Sequence, residues 1–183
     1  MAKTIRIDPE LARLATGLHL ANQLRIWAIA RHLNQVENGS SKISKKHLRD
    51  SLEDFGVKYT RQHLNRLIEG GDSVFWNASS DHIYLRSWEF VATKLTEMAS
   101  DTDPDLLSNK AGVTEVYLSP AGSLEVWQAN IYAGWFFHRD NPIIARETLS
   151  KLFNRTPETL RRWEQTRLQK ILTVQNNYAQ CAS

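Results

Sequence analysis

The chain has 183 residues, 42% of them hydrophobic, which is enough for one large or two small folded domains with real cores. No apolar run approaches the roughly 18 residues that a membrane-spanning helix needs. The first residues, MAKTIRIDPE, also lack the apolar stretch of a secretory signal. The single cysteine, Cys181, excludes an intrachain disulfide framework and favours a reducing compartment. We therefore expect a cytoplasmic protein without a leader sequence.

Charge is distributed unevenly, although the net charge of the chain is only +3. Residues 1–40 carry a net charge of +2 and residues 41–66 carry +4, whereas residues 67–137 carry −7 and residues 138–183 again carry +4. A solvated surface of mixed charge would by itself account for this distribution. The two basic stretches become informative because each coincides with the same series of predicted helices.

The predicted elements begin with a short strand over Thr4–Ile7 and a helix. Asp8 is suited to cap that helix, and Pro9 to occupy its first turn. The helix either continues or bends near Gly17 into a segment around Leu20–Val36, where apolar residues recur at helical spacing.

Two further helices and a hairpin follow. Ser44 and Thr60 are suited to cap the helices, and Gly56 allows the sharp turn between them. The apolar faces of these helices contain Leu48, Leu52, Phe55, Leu64, Leu67 and Ile68. Strand-like runs at Ser73–Trp76 and His82–Arg86, joined by five turn-forming residues, predict a β-hairpin. Three helices followed by a hairpin is the element order of a winged helix.

The middle of the chain contains an amphipathic helix and an acidic segment. Trp88, Val91, Leu95 and Met98 are spaced by three, four and three residues and predict one apolar helix face. The segment Asp101–Asp105 is acidic and contains a proline, as is typical of a linker. A weaker strand is predicted at Val113–Leu118.

The helical pattern then recurs at the C-terminal end. Ser123 is suited to cap a helix whose apolar face contains Leu124, Trp127, Ile131 and Trp135. The segment 138–142 ends that helix, and a short helix follows over Ile144–Phe153. Thr156 and Pro157 then cap and begin a third helix, with Leu160 and Trp163 buried.

The segment Leu149–Glu164, with the sequence LSKLFNRTPETLRRWE, resembles the helix-turn-helix of bacterial regulators and mobile-element proteins. Its part TPETLRRWE is similar to the recognition helix of MerR-type proteins and related recombinase accessory domains. Arg155 departs from the pattern, which usually has an apolar residue there. The segment Ile43–Arg86 resembles winged-helix domains in element order. Both resemblances imply double-stranded DNA binding, with the second helix of each unit in the major groove.

Groove geometry divides the candidate residues into two kinds. If the apolar faces are buried, Arg61, Gln62, Asn65 and Arg66 point outward from the first recognition helix and are able to bond base edges. Lysines and arginines on the preceding helix are better placed for phosphates. The complete set of candidate DNA-binding residues is Lys45, Lys46, Arg49, Lys58, Arg61, Gln62, Asn65, Arg66, Arg146, Lys151, Arg155, Thr159, Arg161, Arg162 and Gln165.

Several alternatives remain open at this stage. Arg66 and Arg162 can equally pair with Glu69 and Glu158 on their own helices. Trp76 lies in the predicted wing, where a side chain can reach DNA, but it is more often a core residue. The scattered histidines have no metal-binding spacing, and we expect no metal, no cofactor and no catalytic centre.

The sequence therefore predicts a mainly α fold with two helix-turn-helix units, the first with a β-hairpin wing. The expected domains are 1–100, an acidic linker at 101–122, and 123–183. The expected function is sequence-specific DNA binding by a transcriptional regulator or a replication, partition or mobile-element factor, associated with a prokaryotic, phage or plasmid genome. The alternative is a docking module that binds a protein partner or a second copy through the helix Trp88–Met98.

Overall fold

The computed structural model describes residues 3–37, 41–107, 115–137 and 145–165. The chain begins with β1 (Ile5–Ile7), α1 (Pro9–Gly17) and α2 (Ala21–Glu37). Asp8 caps α1, since its carboxylate accepts hydrogen bonds from the main-chain N–H groups of the first turn. The chain bends between α1 and α2 at His19, whose φ of 62° lies in the left-handed region. The predicted bend near Gly17 is confirmed, and a continuous helix is excluded.

The first helix-turn-helix unit has the predicted order of helices and strands. After α2 come β2 (Lys42–Ser44), α3 (Lys45–Asp54), α4 (Arg61–Gly70), β3 (Trp76–Ala78) and β4 (His82–Leu85). The three strands form an antiparallel sheet in the order β2-β4-β3, so the hairpin β3-β4 is joined to the strand that precedes α3. The predicted hairpin wing is confirmed.

The first strand of the hairpin was predicted too early. The prediction placed it at Ser73–Trp76, but residues 73–75 form a turn and β3 begins at Trp76. Ser73 adopts a φ of 65° and donates its main-chain N–H to the Trp76 carbonyl at 2.8 Å. Phe75 donates to Gly71 at 3.0 Å. These bonds continue the turn that ends α4, so the strand starts three residues later.

The helix α5 (Trp88–Thr102) follows the hairpin, and its predicted apolar face is part of the protein core. Val91 and Leu95 are fully buried, while Trp88 and Met98 are partly buried and pack against the same core. The protein itself therefore covers Val91 and Leu95 of this face, which leaves less of it for a partner than the sequence predicts.

A second sheet joins the N-terminal strand to the segment that precedes the second unit. A short 3-10 helix (Pro104–Leu107) follows α5, and β5 (Val116–Leu118) then pairs antiparallel with β1, with Ile5 opposite Leu118. Leu106 is buried in the core. The segment predicted as an acidic linker thus contains residues that help to build the interior.

The second helix-turn-helix unit consists of α6 (Leu124–Phe137), α7 (Arg146–Phe153) and α8, which covers residues 157–165. Ser123 caps α6 as predicted, since its hydroxyl accepts the N–H of Val126 at 3.3 Å. The predicted helix break at 138–142 and the predicted start of the next helix at Ile144 lie outside the described residues. The fold class is as predicted: mainly α, with two helix-turn-helix units and a wing on the first.

One hydrophobic core extends through both units. The helix α1 packs against α6 and α7, and its Arg13 is fully buried. The guanidinium of Arg13 donates to the carbonyl of Leu152 at 2.8 Å and to that of Leu106, and it pairs with Glu10. The N-terminal helix therefore fixes α7 to the rest of the protein. Among the described helices, none combines the length and the apolar character needed to cross a bilayer.

Candidate nucleic-acid interface

The turn of the first unit presents the N-terminus of α4. Ser44 caps α3 by accepting the N–H of His47 at 3.1 Å, and Thr60 caps α4 by accepting the N–H of His63 at 3.2 Å. Between these helices, Gly56 has a φ of 72°, a conformation that strongly favours glycine. These local choices leave the first turn of α4 at the protein surface.

A cleft with a volume of about 520 Å³ lies between the start of α3, the start of α4 and the loop that joins β3 to β4, which we call the wing loop. The wing loop is held there because the main-chain N–H of Lys45 donates to the carbonyl of Asp81 at 2.8 Å. The residues that line the cleft are Ser44, Lys45, Lys46, Arg49, Arg61, Leu64, Asn65, Ser80 and Asp81. Five of the candidate DNA-binding residues are thus brought together at one place.

The cleft has a marked excess of positive charge. Four basic side chains line it, against the one carboxylate of Asp81. The side chains of Lys45, Lys46 and Arg61 have no ion pair or hydrogen bond with any residue that the structure describes. Arg49 makes only a long contact, 3.7 Å, with the exposed carboxylate of Asp50. Such uncompensated cations around a concave surface attract a polyanion.

The outward face of α4 is polar, as the sequence predicts. Arg61, Gln62, Asn65 and Arg66 are exposed, while Leu64, Leu67 and Ile68 are buried. No ion pair between Arg66 and Glu69 forms within the described part of the chain. Lys58 is exposed in the turn before α4 but, like Gln62 and Arg66, it does not line the cleft.

The turn of the second unit is closed by a left-handed residue that is not glycine. Asn154 ends α7 with a φ of 48°, and asparagine tolerates this conformation better than most residues. Thr156 then caps α8, since its hydroxyl accepts the N–H of Thr159 at 3.3 Å. Leu160 and Trp163 are buried, as predicted.

Two arginines of the second unit have carboxylate partners within the protein. Arg146 forms an ion pair with Glu164 at 3.0 Å, and the hydroxyl of Tyr132 donates to the same carboxylate at 2.7 Å. The hydrogen bonds to Glu164 raise the pKa of Arg146. Arg162 pairs with Glu125 of α6 at 2.5 Å.

Arg155 links the second turn to the bend between α1 and α2. Its guanidinium donates to the Asn154 carbonyl at 2.7 Å and lies 3.2 Å from Nδ1 of His19. The side-chain amide of Asn154 donates to the Gly17 carbonyl at 3.0 Å. Burial lowers the pKa of Arg155, and burial together with the charge of Arg155 lowers the pKa of His19. The residue that departs from the helix-turn-helix pattern thus has a structural contact.

The remaining candidates of the second unit lie on its surface outside the cleft of the first unit. Arg161, Gln165 and Lys151 are exposed, and Thr159 is half-buried. Arg161 and Gln165 make no hydrogen bond or ion pair with the described part of the chain. The two units therefore differ: the cations of the first are mostly unpaired, whereas several in the second hold the protein together.

Trp76, the wing residue considered for DNA contact, is a core residue. Its ring is fully buried, and Nε1 donates to the Ile68 carbonyl at 2.8 Å. The exposed aromatic residue of the wing is Tyr84. Sequence reasoning missed it, although the alternation of Ile83, Tyr84 and Leu85 carries the signal, because successive strand residues point to opposite faces.

No family model, curated protein or solved structure matches this chain. Within the described residues, no group of three or more histidine, cysteine or acidic side chains is arranged to hold a metal ion.

Proposed function

We propose that this protein binds double-stranded DNA in a sequence-specific manner, with α4 in the major groove. The observation that carries the proposal is the cleft in which Lys45, Lys46, Arg49 and Arg61 converge beside the polar face of α4. A helix preceded by a supporting helix, with its N-terminal turn at the surface, matches the way this motif enters a groove.

Each outward side chain of α4 has a chemical role in this proposal. Arg61 and Arg66 are able to donate two hydrogen bonds to a guanine edge, and Gln62 and Asn65 are able to bond an adenine edge. Lys45 and Lys46, at the first turn of α3, contact phosphates. The free N–H groups at the start of a helix add to the attraction for phosphate.

The second unit contributes a smaller contact in the proposal. Arg161 and Gln165 face outward from α8, whereas Arg146, Arg155 and Arg162 have partners within the chain. The target is then a bipartite site in which the first half contributes most of the affinity. A transcriptional regulator and a replication, partition or mobile-element factor both need such a site, and both act at the genome in the cytoplasm.

The test is selection from a random duplex pool, followed by titration of the enriched sequence at two salt concentrations. Arg61→Ala and Arg66→Ala are expected to weaken the selected site by about 1–3 kcal/mol each. Lys46→Ala is expected to weaken all sequences alike and to lower the salt slope by about one unit. Lys94→Ala, a lysine of α5 paired with Glu97, is the control. The absence of an enriched motif, with all four variants binding alike, would disprove the proposal.

The docking alternative has no observation in its favour. It relied on the apolar face of α5, and Val91 and Leu95 of that face are buried in the protein.

A further inference from the structure

The outer face of the wing sheet exposes a tyrosine at its centre. In β4, Ile83 and Leu85 point into the core, and Tyr84 between them is 42% exposed. The register places Tyr84 opposite Lys42 of β2 on one side and opposite Asn77 of β3 on the other. Since β4 is the central strand, Tyr84 lies in the middle of a row across the sheet.

Cations lie beside the Tyr84 ring of this face and beside the exposed ring of Phe90 in the adjoining helix α5. The Lys42 ammonium is 5.8 Å from the centroid of the Tyr84 ring. The Arg86 guanidinium is 4.6 Å from the ring of Phe90, which is 39% exposed, and it donates to the Asn77 amide oxygen at 2.7 Å. We call these five residues, Lys42, Asn77, Tyr84, Arg86 and Phe90, the wing-face patch. It contains two cations and two exposed aromatic rings, and the Phe90 end of it borders the carboxylates of Glu89 and Glu97.

The wing-face patch adjoins the cationic cleft along the chain. Lys42 is in the strand that leads into Ser44 and Lys45 of the cleft. The strand of Tyr84 begins directly after Ser80 and Asp81, which also line the cleft. A nucleic-acid strand that leaves the cleft across the wing therefore passes onto this face.

We propose that the wing-face patch binds single-stranded DNA, as a contact additional to the duplex site. The inference rests on the proposed function, since it assumes that DNA occupies the cleft. Exposed flat rings, here Tyr84 on the sheet and Phe90 in the first turn of α5, stack with unpaired bases, and neighbouring cations take up the phosphates. In an intact duplex the base faces are stacked on one another, so Tyr84 and Phe90 have no comparable contact to make there. The composition of the patch thus selects an opened strand, as occurs where a bound duplex is melted.

The experiment measures fluorescence anisotropy of a labelled oligothymidine of about 20 nucleotides, longer than the ~4–16 nucleotides that a small single-strand-binding fold covers. Each variant is also titrated with the selected duplex. Tyr84→Ala and Phe90→Ala are expected to weaken oligothymidine binding about tenfold or more and to leave duplex binding unchanged. Tyr84→Trp is expected to retain binding. Tyr117→Ala is the matched control, because Tyr117 is 69% exposed on β5 of the other sheet.

The outcomes separate this inference from the proposed function. Oligothymidine binding that is equal in Tyr84→Ala and the wild type, or equally weakened by Tyr117→Ala, overturns the inference. Duplex binding without oligothymidine binding overturns it too, but leaves the proposed function intact. If the wild-type protein binds neither oligothymidine nor the duplex, both this inference and the proposed function are overturned. Self-association by sedimentation that disappears in Tyr84→Ala would identify the patch as a contact between copies and overturn the single-strand assignment.

Discussion

The main-chain nitrogen of Gly122 donates a hydrogen bond of 3.2 Å to the carbonyl oxygen of Gly56. Gly56 lies in the turn of the first helix-turn-helix, and Gly122 precedes the first helix of the second. Arg25 of α2, only 2% exposed, reinforces this joint by donating to the carbonyls of Pro120 at 3.2 Å and Gly122 at 3.0 Å. The two units are therefore held together by specific hydrogen bonds at this joint.

Arg25→Met is expected to destabilise the whole protein. The substitution leaves the carbonyls of Pro120 and Gly122 without their buried donor, and hydrogen bonds from a charged group are worth about 1.5–3 kcal/mol each. We expect the free energy of unfolding in urea to fall by roughly 2 kcal/mol. Arg6→Met, at an exposed arginine paired with Glu115, is the control and is expected to change stability little. Equal stability of the two variants would contradict the role of Arg25.

Two adjacent glycines at the end of α4 are expected to respond differently to alanine. A Cβ at Gly71 would lie 2.5 Å from the buried ring of Trp76, whereas at Gly70 it would meet the side-chain amide of Gln23 at 3.2 Å. The Trp76 ring has no room to move, but the end of Gln23 does. Gly71→Ala should lower the free energy of unfolding by about 1–3 kcal/mol. Gly70→Ala should be neutral or slightly stabilising, since it replaces a helical glycine. Thermal unfolding of both variants measures this difference, and equal effects on stability would contradict the role of the Gly71–Trp76 contact.

The predicted caps and turns agree with the structure because they depend on neighbouring residues. Ser44, Thr60 and Thr156 each accept the N–H three residues ahead, and Gly56 adopts the left-handed conformation that its turn needs. These choices are local, so a single sequence is enough to predict them.

Contacts between distant segments could not be predicted in the same way. Strands β1 and β5 have three residues each, and nothing in either indicates the other as its partner. The buried arginines Arg13 and Arg25 look like surface residues by type. The partners of Arg146 and Arg162 also lie on other helices, which the helix-turn-helix pattern within one segment does not indicate.

Arg146 and Arg61 provide a direct test of that distinction. Arg146→Ala removes the partner of Glu164, whose carboxylate is mostly buried beside Tyr132. We expect it to lower the free energy of unfolding by about 1 kcal/mol. Arg61→Ala should leave stability unchanged, because Arg61 has no described partner, and should weaken DNA binding instead. Chemical denaturation and a DNA titration of both variants measure this. If Arg146→Ala left stability unchanged and weakened DNA binding, the ion pair of Arg146 would not contribute to stability.

Protonation of His19 is expected to loosen the second turn. The pKa of His19 is lowered from its ordinary 6.5, first by burial and then by Arg155, so the folded protein binds this proton less well than the unfolded chain. The stabilising contribution is complete above pH 6.5 and is lost as the pH falls through that value toward the lowered pKa. His19→Asn keeps a residue that tolerates the φ of 62° and cannot titrate. Unfolding free energies from pH 7.5 to 5.5 should decline more steeply for the wild type than for this variant, and parallel curves would exclude His19.

The hydrogen bonds that hold the two units together also predict how binding depends on the spacing of the two DNA half-sites. If α4 and α8 each occupy a major-groove segment, their separation is fixed by Arg25, by the Gly122–Gly56 bond and by the pairing of β1 with β5. Inserting about five base pairs, half a helical turn, between the two halves of the selected site puts one half on the wrong face of the duplex. Inserting about ten base pairs restores the face but moves that half by about 34 Å, which a rigid protein cannot span. We therefore expect both insertions to reduce the affinity to that of the first half-site alone.

Two units on a flexible linker would recover affinity with the longer insertion, so band-shift titrations of the three duplexes distinguish the two cases. Recovery of the affinity with the insertion of about ten base pairs would show that the contact between the two units breaks when the protein binds DNA.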